Sequence, residues 1–212
     1  IINGYATRST HGYVFIRTGH ELPIEAARKA IADAYEAGLL GKNILGTDFS
    51  FEMEVSLTGD SYVAGEETAL MEAIEGKRST PRFKPPFPAA AGLWQKPTNI
   101  NNVKTISYVP EIVRNGSEWF KGIGTETTSG TAIVCLSGHI TYPGMYEVPM
   151  GMTIREVLEK VGGGVSEGER IKVLQAGGPL NGLLGEEAFD TMIDFDAMSA
   201  AGASIGSGGI IV

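Results

Sequence analysis

The order of three segments constrains this fold more than any other feature of the sequence. Gly12–Thr18, "GYVFIRT", is short, aromatic and β-branched, and predicts a strand. "PIEAARKAIADAYEAG" follows, with Pro23 at the expected first helical position. Ile24, Ala27, Ile31, Ala34 and Tyr35 share one face, and Gly38 marks the stop. "FEMEVSLTG" then alternates Phe51, Met53, Val55 and Leu57, expected inward, with Glu52, Glu54 and Ser56. Strand, helix, strand at this spacing is a βαβ crossover, so the first part of the chain is expected to be α/β with a mostly parallel sheet. A further helix, Glu66 to Glu75 with Gly76 at its end, leaves the second strand directly.

The pattern changes after Lys121–Gly130, "KGIGTETTSG", which has the small polar character of a linker. "TAIVCLSGHI" and "GMYEVPM" read as two strands joined through the turn "TYPG". Thr153 and Glu156 form a capping box for the short helix "TIREVLEKVGGG", and "RIKVLQAGG" returns as a strand. This is a compact α+β unit of the β-grasp kind. The tail "AMSAAGASIGSGGIIV" predicts a short helix, a glycine loop and a last strand. The expected domains are therefore residues 1–126 and residues 127–212, the second with a C-terminal extension.

Charge and cysteine usage exclude several function classes. A net charge of −8 argues against a nucleic-acid groove or an anionic membrane partner. No apolar run reaches the roughly 18 residues of a membrane span, so no direct insertion is expected. The single cysteine, Cys135, can build neither an internal disulfide nor a cluster site. It lies in an apolar strand and is expected to be buried. His11, His20 and His139 do not cluster, so no metal site is expected. The start, Ile1-Ile2-Asn3-Gly4, has no methionine, charged n-region or apolar h-region. The expectation from this start is a fragment with no secretion signal, and cysteine usage makes the cytoplasm the simplest compartment.

Residues 61–88, "SYVAGEETALMEAIEGKRSTPRFKPPFP", carry the functional signal. A strand, a turn, a glycine and a helix N-terminus form a common ligand site in an open α/β sheet. Such an N-terminus ordinarily attracts phosphate, but here the first turn holds Glu66 and Glu67. Two carboxylates suit a ligand that donates hydrogen bonds, such as ribose hydroxyls, a carboxamide or a flavin ring N–H. Gly65 would let it approach the backbone. The competing reading is simple complementation of the helix dipole.

The next loop concentrates Lys77, Arg78, Arg82 and Lys84 around Phe83 and Phe87, with Pro85 and Pro86 fixing the backbone. It suits an adenine ring with phosphates nearby. A solvated turn with its phenylalanines in the core remains the alternative, stronger for Phe83 than for Phe87. Asn99, Asn101 and Asn102, followed by Thr105, supply neutral donors and acceptors at a helix start. One asparagine is expected to cap that helix, and the others suit a flavin and its ribityl chain.

Together, "GDSYVAGEETALMEAIEGKRSTPRFKPPFPAAAGLWQKPTNINNVKT" closely resembles the NADH-oxidising flavoprotein subunit of respiratory complex I. The diaphorase subunits of NAD-linked hydrogenases and formate dehydrogenases belong to the same family. "LSGHITYPGMYEVPMGMTIREVLEKVGGG" resembles the β-grasp, soluble-ligand-binding domain of those subunits. The resemblance implies an FMN site using Tyr62, Gly65, Glu66, Glu67, Asn101, Asn102 and Thr105. It also implies NADH binding by Tyr62, Glu67 and Phe87, with adenine stacked on Phe87. No side chain is implied as a proton donor or nucleophile, since the flavin accepts the hydride.

The family's glycine-rich loop and acidic segment, upstream in those subunits, do not occur here. Neither does its four-cysteine [4Fe–4S] domain, and Cys135 is not one of those ligands. Ala64 stands where many members have cysteine. The resemblance thus implies a fragment of an NADH:acceptor oxidoreductase that passes hydride from NADH to FMN and electrons on to iron–sulfur clusters. It also implies a [2Fe–2S] thioredoxin-like partner subunit, and membrane association only through a larger complex. The isolated chain is expected to be inactive. The alternative is a ligand-binding or subunit-docking module working through its β-grasp half.

Overall fold

The computed structural model describes residues 1–59, 61–178 and 180–212. Asp60, which falls inside the signature, lies outside the described residues. The chain divides into two compact units, Ile1–Val109 and Pro110–Val212.

The first unit opens with α1 (Ile2–Thr7), β1 (His11–Arg17), α2 (Glu21–Glu36) and β2 (Glu52–Thr58). β1 and β2 pair in parallel, with Val14 opposite Val55, so the βαβ crossover predicted from the sequence is present. Helix α2 starts at Glu21, ahead of the expected Pro23. Proline is tolerated there because N–H groups in a first turn have no intrahelical partner. Ala34, Leu40, Ile44 and Phe51 form a small buried cluster, against which Tyr5, Ile31, Phe49 and Met53 pack. Gly4 is fixed by close approach, since a Cβ there would lie 2.3 Å from the Phe51 ring. Leu57, expected inward, is 41% exposed. The apolar cluster gathers at the Phe51 end of β2 and does not reach the strand's far end.

Beyond β2 come a 3₁₀ turn at Tyr62–Gly65, α3 (Glu67–Ile74), α4 (Pro88–Ala91), a turn at Leu93–Gln95 and α5 (Val103–Asn115), inside which the two units divide. Thr68, Ala69 and Met71 are the buried residues of α3.

The second unit continues with α6 (Ser117–Lys121), β3 (Thr131–Ser137), β4 (Gly144–Pro149), α7 (Ile154–Glu156), β5 (Val173–Ala176), β6 (Leu183–Gly185), α8 (Phe195–Ala200) and β7 (Gly209–Ile211). The strands form one sheet in the order β4-β3-β7-β5-β6. β3 lies antiparallel to β4 and parallel to β7. Helix α7, extended by a π turn through Val161, covers one face of the sheet with Ile154, Val157 and Leu158. The predicted capping box is present: Glu156 N–H donates to Thr153 Oγ1 at 3.1 Å, and Thr153 N–H donates to Glu156 Oε2 at 3.0 Å. The fold is thus α/β with a parallel pair, followed by a β-grasp unit.

An expectation fails in this unit too. Cys135 is exposed, not buried. Side chains alternate along β3, so Ala132, Val134 and Leu136 enter the core and Cys135 takes the opposite face. β6 is too short to leave a pattern that marks it as a strand, and the sequence did not predict it.

Candidate functional site

The site grows from the junction of β2 and α3. Glu66 is the N-cap of α3 and not its first helical residue. Its Oε2 accepts from the N–H groups of Thr68 and Ala69, each at 2.9 Å, and from the Thr68 hydroxyl. Partial burial pushes the Glu66 carboxyl up. These bonds, with Lys84 nearby, outweigh burial and hold it below its ordinary value. One of the two carboxylates expected to face a ligand is thus largely committed to its own helix.

Glu67 opens α3, and its Oε1 is paired with Lys84 Nζ, which also lies 3.5 Å from Glu66 Oε1. The hydrogen bond to Glu67 leads the causes that raise the Lys84 ammonium above its usual value. The Glu67 side chain stays 38% exposed. Before it, Gly65 faces open space: a Cβ there would meet nothing within 4 Å.

The basic residues of the following loop do not stand ready for phosphates as a group. Arg82 donates through Nη2 to Glu75 Oε1 at 2.9 Å, through Nη1 to the Gly92 carbonyl at 3.0 Å, and through Nε to Glu72. Its own N–H donates to Thr68 Oγ1 at 2.8 Å. Lys77 donates to Glu75 Oε2 at 2.7 Å. The cations complement carboxylates of α3, because a tight loop brings them back over the helix that precedes them. Arg78 is exposed.

Glu75 was not singled out by the sequence and is the centre of this network. Burial raises its carboxyl, but the bonds from Lys77, the Trp94 N–H and Arg82 bring it down to about 2. A sequence signal did exist: Glu72 and Glu75 share a helix face just ahead of four cations.

The aromatic side chains point outward. Tyr62 is 79% exposed, Phe83 97% and Phe87 60%, so the core reading for Phe83 fails. Chain direction decides this, because Arg82 is turned inward and its neighbour Phe83 is turned out.

Asn101 Nδ2 donates to Asn99 Oδ1 at 3.1 Å. Asn102 Oδ1 accepts the Lys104 N–H at 2.8 Å, so Asn102 is the capping asparagine expected at the start of α5. Asn101, Asn102 and Thr105 are all exposed. Among the described residues, no hydrogen bond or ion pair joins this segment to Glu66 or Glu67. The structure thus brings Glu66, Glu67 and Lys84 together, and leaves Tyr62, Phe87 and the asparagines as separate exposed groups. The donor set fits a flavin: exposed neutral amides and a hydroxyl on one segment, and an open glycine backbone beside a carboxylate on the other.

The profile of the Nuo51 FMN-binding domain matches residues 1–111, and that of the SLBB domain matches residues 133–183. The chain is 47% identical over 211 residues to the NADP-reducing hydrogenase subunit HndC of Solidesulfovibrio fructosivorans, covering 100% of this chain and 43% of that protein. It is 44% identical over 211 residues to the NADH-quinone oxidoreductase F 2 subunit of Rhizobium meliloti (strain 1021), covering 100% of this chain and 50% of that one. The chain therefore spans about half the length of these curated relatives. A solved NAD+-reducing [NiFe]-hydrogenase, in its air-oxidized state, superposes with a TM-score of 0.80 at 30% identity, over 100% of this chain and 34% of the hydrogenase chain. Matched over more than half its length and by relatives along all of it, the chain belongs to the Nuo51 FMN-binding domain family and carries an SLBB domain behind the flavin-domain portion.

Proposed function

We propose that this chain is part of an NADH:acceptor oxidoreductase, supplying one wall of an FMN site and the dinucleotide platform. Residues 1–126 are taken as the C-terminal part of the flavin domain and residues 127–212 as the β-grasp unit. FMN, when bound, supplies the hydride acceptor and the relay to one-electron carriers. The chain's own residues bind and orient. Asn101, Asn102 and Thr105 offer hydrogen bonds to the flavin, and Gly65 lets it lie close to the backbone. Glu67, assisted by Glu66, accepts from donor groups of the nicotinamide half, with Tyr62 beside them. Phe87 stacks the adenine. The reading extends to partner redox subunits, among them a [2Fe–2S] thioredoxin-like one, in a cytoplasmic assembly. No helix among the described residues is long and apolar enough to cross a membrane.

A single observation carries this reading. Glu67 and the rings of Tyr62, Phe83 and Phe87 remain solvent-facing on a segment where Glu66, Glu72, Glu75, Lys77 and Arg82 are tied down. Exposing large aromatic faces on a braced loop is unfavourable unless something covers them. The test is steady-state NADH oxidation by the full-length flavoprotein, with ferricyanide as acceptor. Glu67→Gln is expected to raise KM for NADH by about tenfold, the loss of roughly one charge-assisted hydrogen bond. Asn101→Ala is expected to weaken FMN binding, read as recovered FMN fluorescence. Unchanged KM and unchanged flavin retention in these variants would sink the assignment.

A further inference from the structure

The loop that carries Phe83 and Phe87 leaves the fold and returns through one carboxylate. Its outgoing stem is Arg82 and its returning stem is Gly92–Trp94. Glu75 Oε1 accepts both the Arg82 Nη2 hydrogen, at 2.9 Å, and the Trp94 N–H, at 2.8 Å. Arg82 closes the triangle by donating to the Gly92 carbonyl at 3.0 Å. The Glu75 side chain is only 4% exposed and that of Arg82 21%.

Two features indicate that this clasp does more than finish a helix. First, Glu72 lies in the last turn of α3 and Glu75 caps it, with no basic residue in that turn. Carboxylates there oppose the helix dipole, so the arrangement is locally unfavourable. Second, Trp94 (φ 47°) and Gln95 (φ 62°) are both left-handed without being glycine. Such residues persist only where their surroundings over-determine them, and they concentrate at ligand clamps. Here the bond from Trp94 N–H to Glu75 holds the first of the pair, and the Leu93 N–H bond to Thr98 Oγ1, at 2.9 Å, braces the same turn. What the clasp closes is a loop with two exposed aromatic rings, one 97% and the other 60% accessible.

We propose that the Glu75–Arg82–Trp94 clasp positions the Phe83–Phe87 loop to receive the adenine half of a dinucleotide. This rests on the dinucleotide reading above and adds to it a residue that touches neither substrate nor flavin. Glu75 is a positioning residue: by fixing both stems before binding, it removes an ordering cost that a loose loop would impose on the ligand. The nicotinamide half is assigned to Glu67 and Tyr62. The loop meets that half through the Lys84–Glu67 pair and the adenine half through its rings, so a ligand without adenine should depend on the clasp less than NADH does.

That division gives the test. In the full-length flavoprotein, with ferricyanide as acceptor, Glu75→Gln and Arg82→Lys are compared with the parent protein on two reductants. One is NADH and the other is reduced nicotinamide mononucleotide, which lacks the adenylate half. Arg82→Lys keeps the charge but loses the two-pronged geometry, and serves where Glu75→Gln fails to fold. The expected result is a KM for NADH raised about tenfold with little change in kcat, while both constants for the mononucleotide stay within about twofold. Equal losses on both reductants would mean a merely structural role and overturn the proposal, as would an unchanged KM for NADH. If the parent protein itself neither retains flavin nor oxidises NADH, the dinucleotide reading fails first and the clasp loses its purpose with it.

Discussion

The Glu66 carboxylate serves its own helix before it serves any ligand. Its side chain satisfies two N–H groups of the first turn of α3 and the Thr68 hydroxyl. Glu66→Ala is expected to destabilise the protein by about 1 kcal/mol, the usual loss for an N-cap. Urea unfolding would check it, and an unchanged midpoint would mean that water replaces the cap. Two other carboxyls set an acid limit. Glu75 is held at about 2 against an ordinary 4.5, and Asp194 at about 2 against 3.8. For Asp194 the Thr125 hydroxyl leads, against burial, with the Ala197 and Asp196 N–H groups adding to it. Both folded-state values lie below the unfolded ones, so their stabilisation is complete above those ordinary values and is lost as pH falls toward 2. Unfolding free energy should decline between about pH 4.5 and pH 2, and the decline should be shallower in Glu75→Gln and Asp194→Asn. A slope that neither variant changes would assign the acid sensitivity elsewhere.

At the scale of elements, the caps and strand pairs follow local rules, and most of them were legible. The Thr153–Glu156 box was readable because its two reciprocal bonds need only the spacing of two residues. Thr153→Ala should cost about 1 kcal/mol, measurable as a lower melting temperature by circular dichroism. The turn at Leu93–Gln95 was not legible. Nothing in "GLWQKPT" marks two left-handed residues, because tryptophan and glutamine rarely adopt that geometry alone. The turn exists because Glu75, far back in sequence, accepts the Trp94 N–H. Gly92 shows how tightly it is built: a Cβ there would lie 2.3 Å from the Thr98 side chain. Gly92→Ala should therefore destabilise by about 1–3 kcal/mol. Denaturant melts of the two proteins would show it, and an unchanged midpoint would mean that Thr98 can move aside.

On the scale of the whole molecule, the division into two units raises the question of where the second can be cut. Gly130 N–H donates to the Ile123 carbonyl at 2.7 Å, and Thr125 Oγ1 donates to Asp194 at 2.5 Å. A piece comprising residues 127–212 should fold but be less stable than residues 110–212 by about 1.5–3 kcal/mol, the worth of a hydrogen bond to a buried charge. Urea titration of both pieces would test this, and equal stability would remove Thr125 from the account. What the sequence determined by itself were the features with causes near in sequence: the βαβ order, the β-grasp order and the capping box. Only the tertiary structure decided which carboxylate each cation meets, that Phe83 faces out, and that Cys135 lies on the open face of its sheet. Periodicity and capping act within a few residues, so a linear text records them. The pairing of Arg82 with Glu75 and Glu72 depends on the path of the chain between them, and no local rule fixes that path.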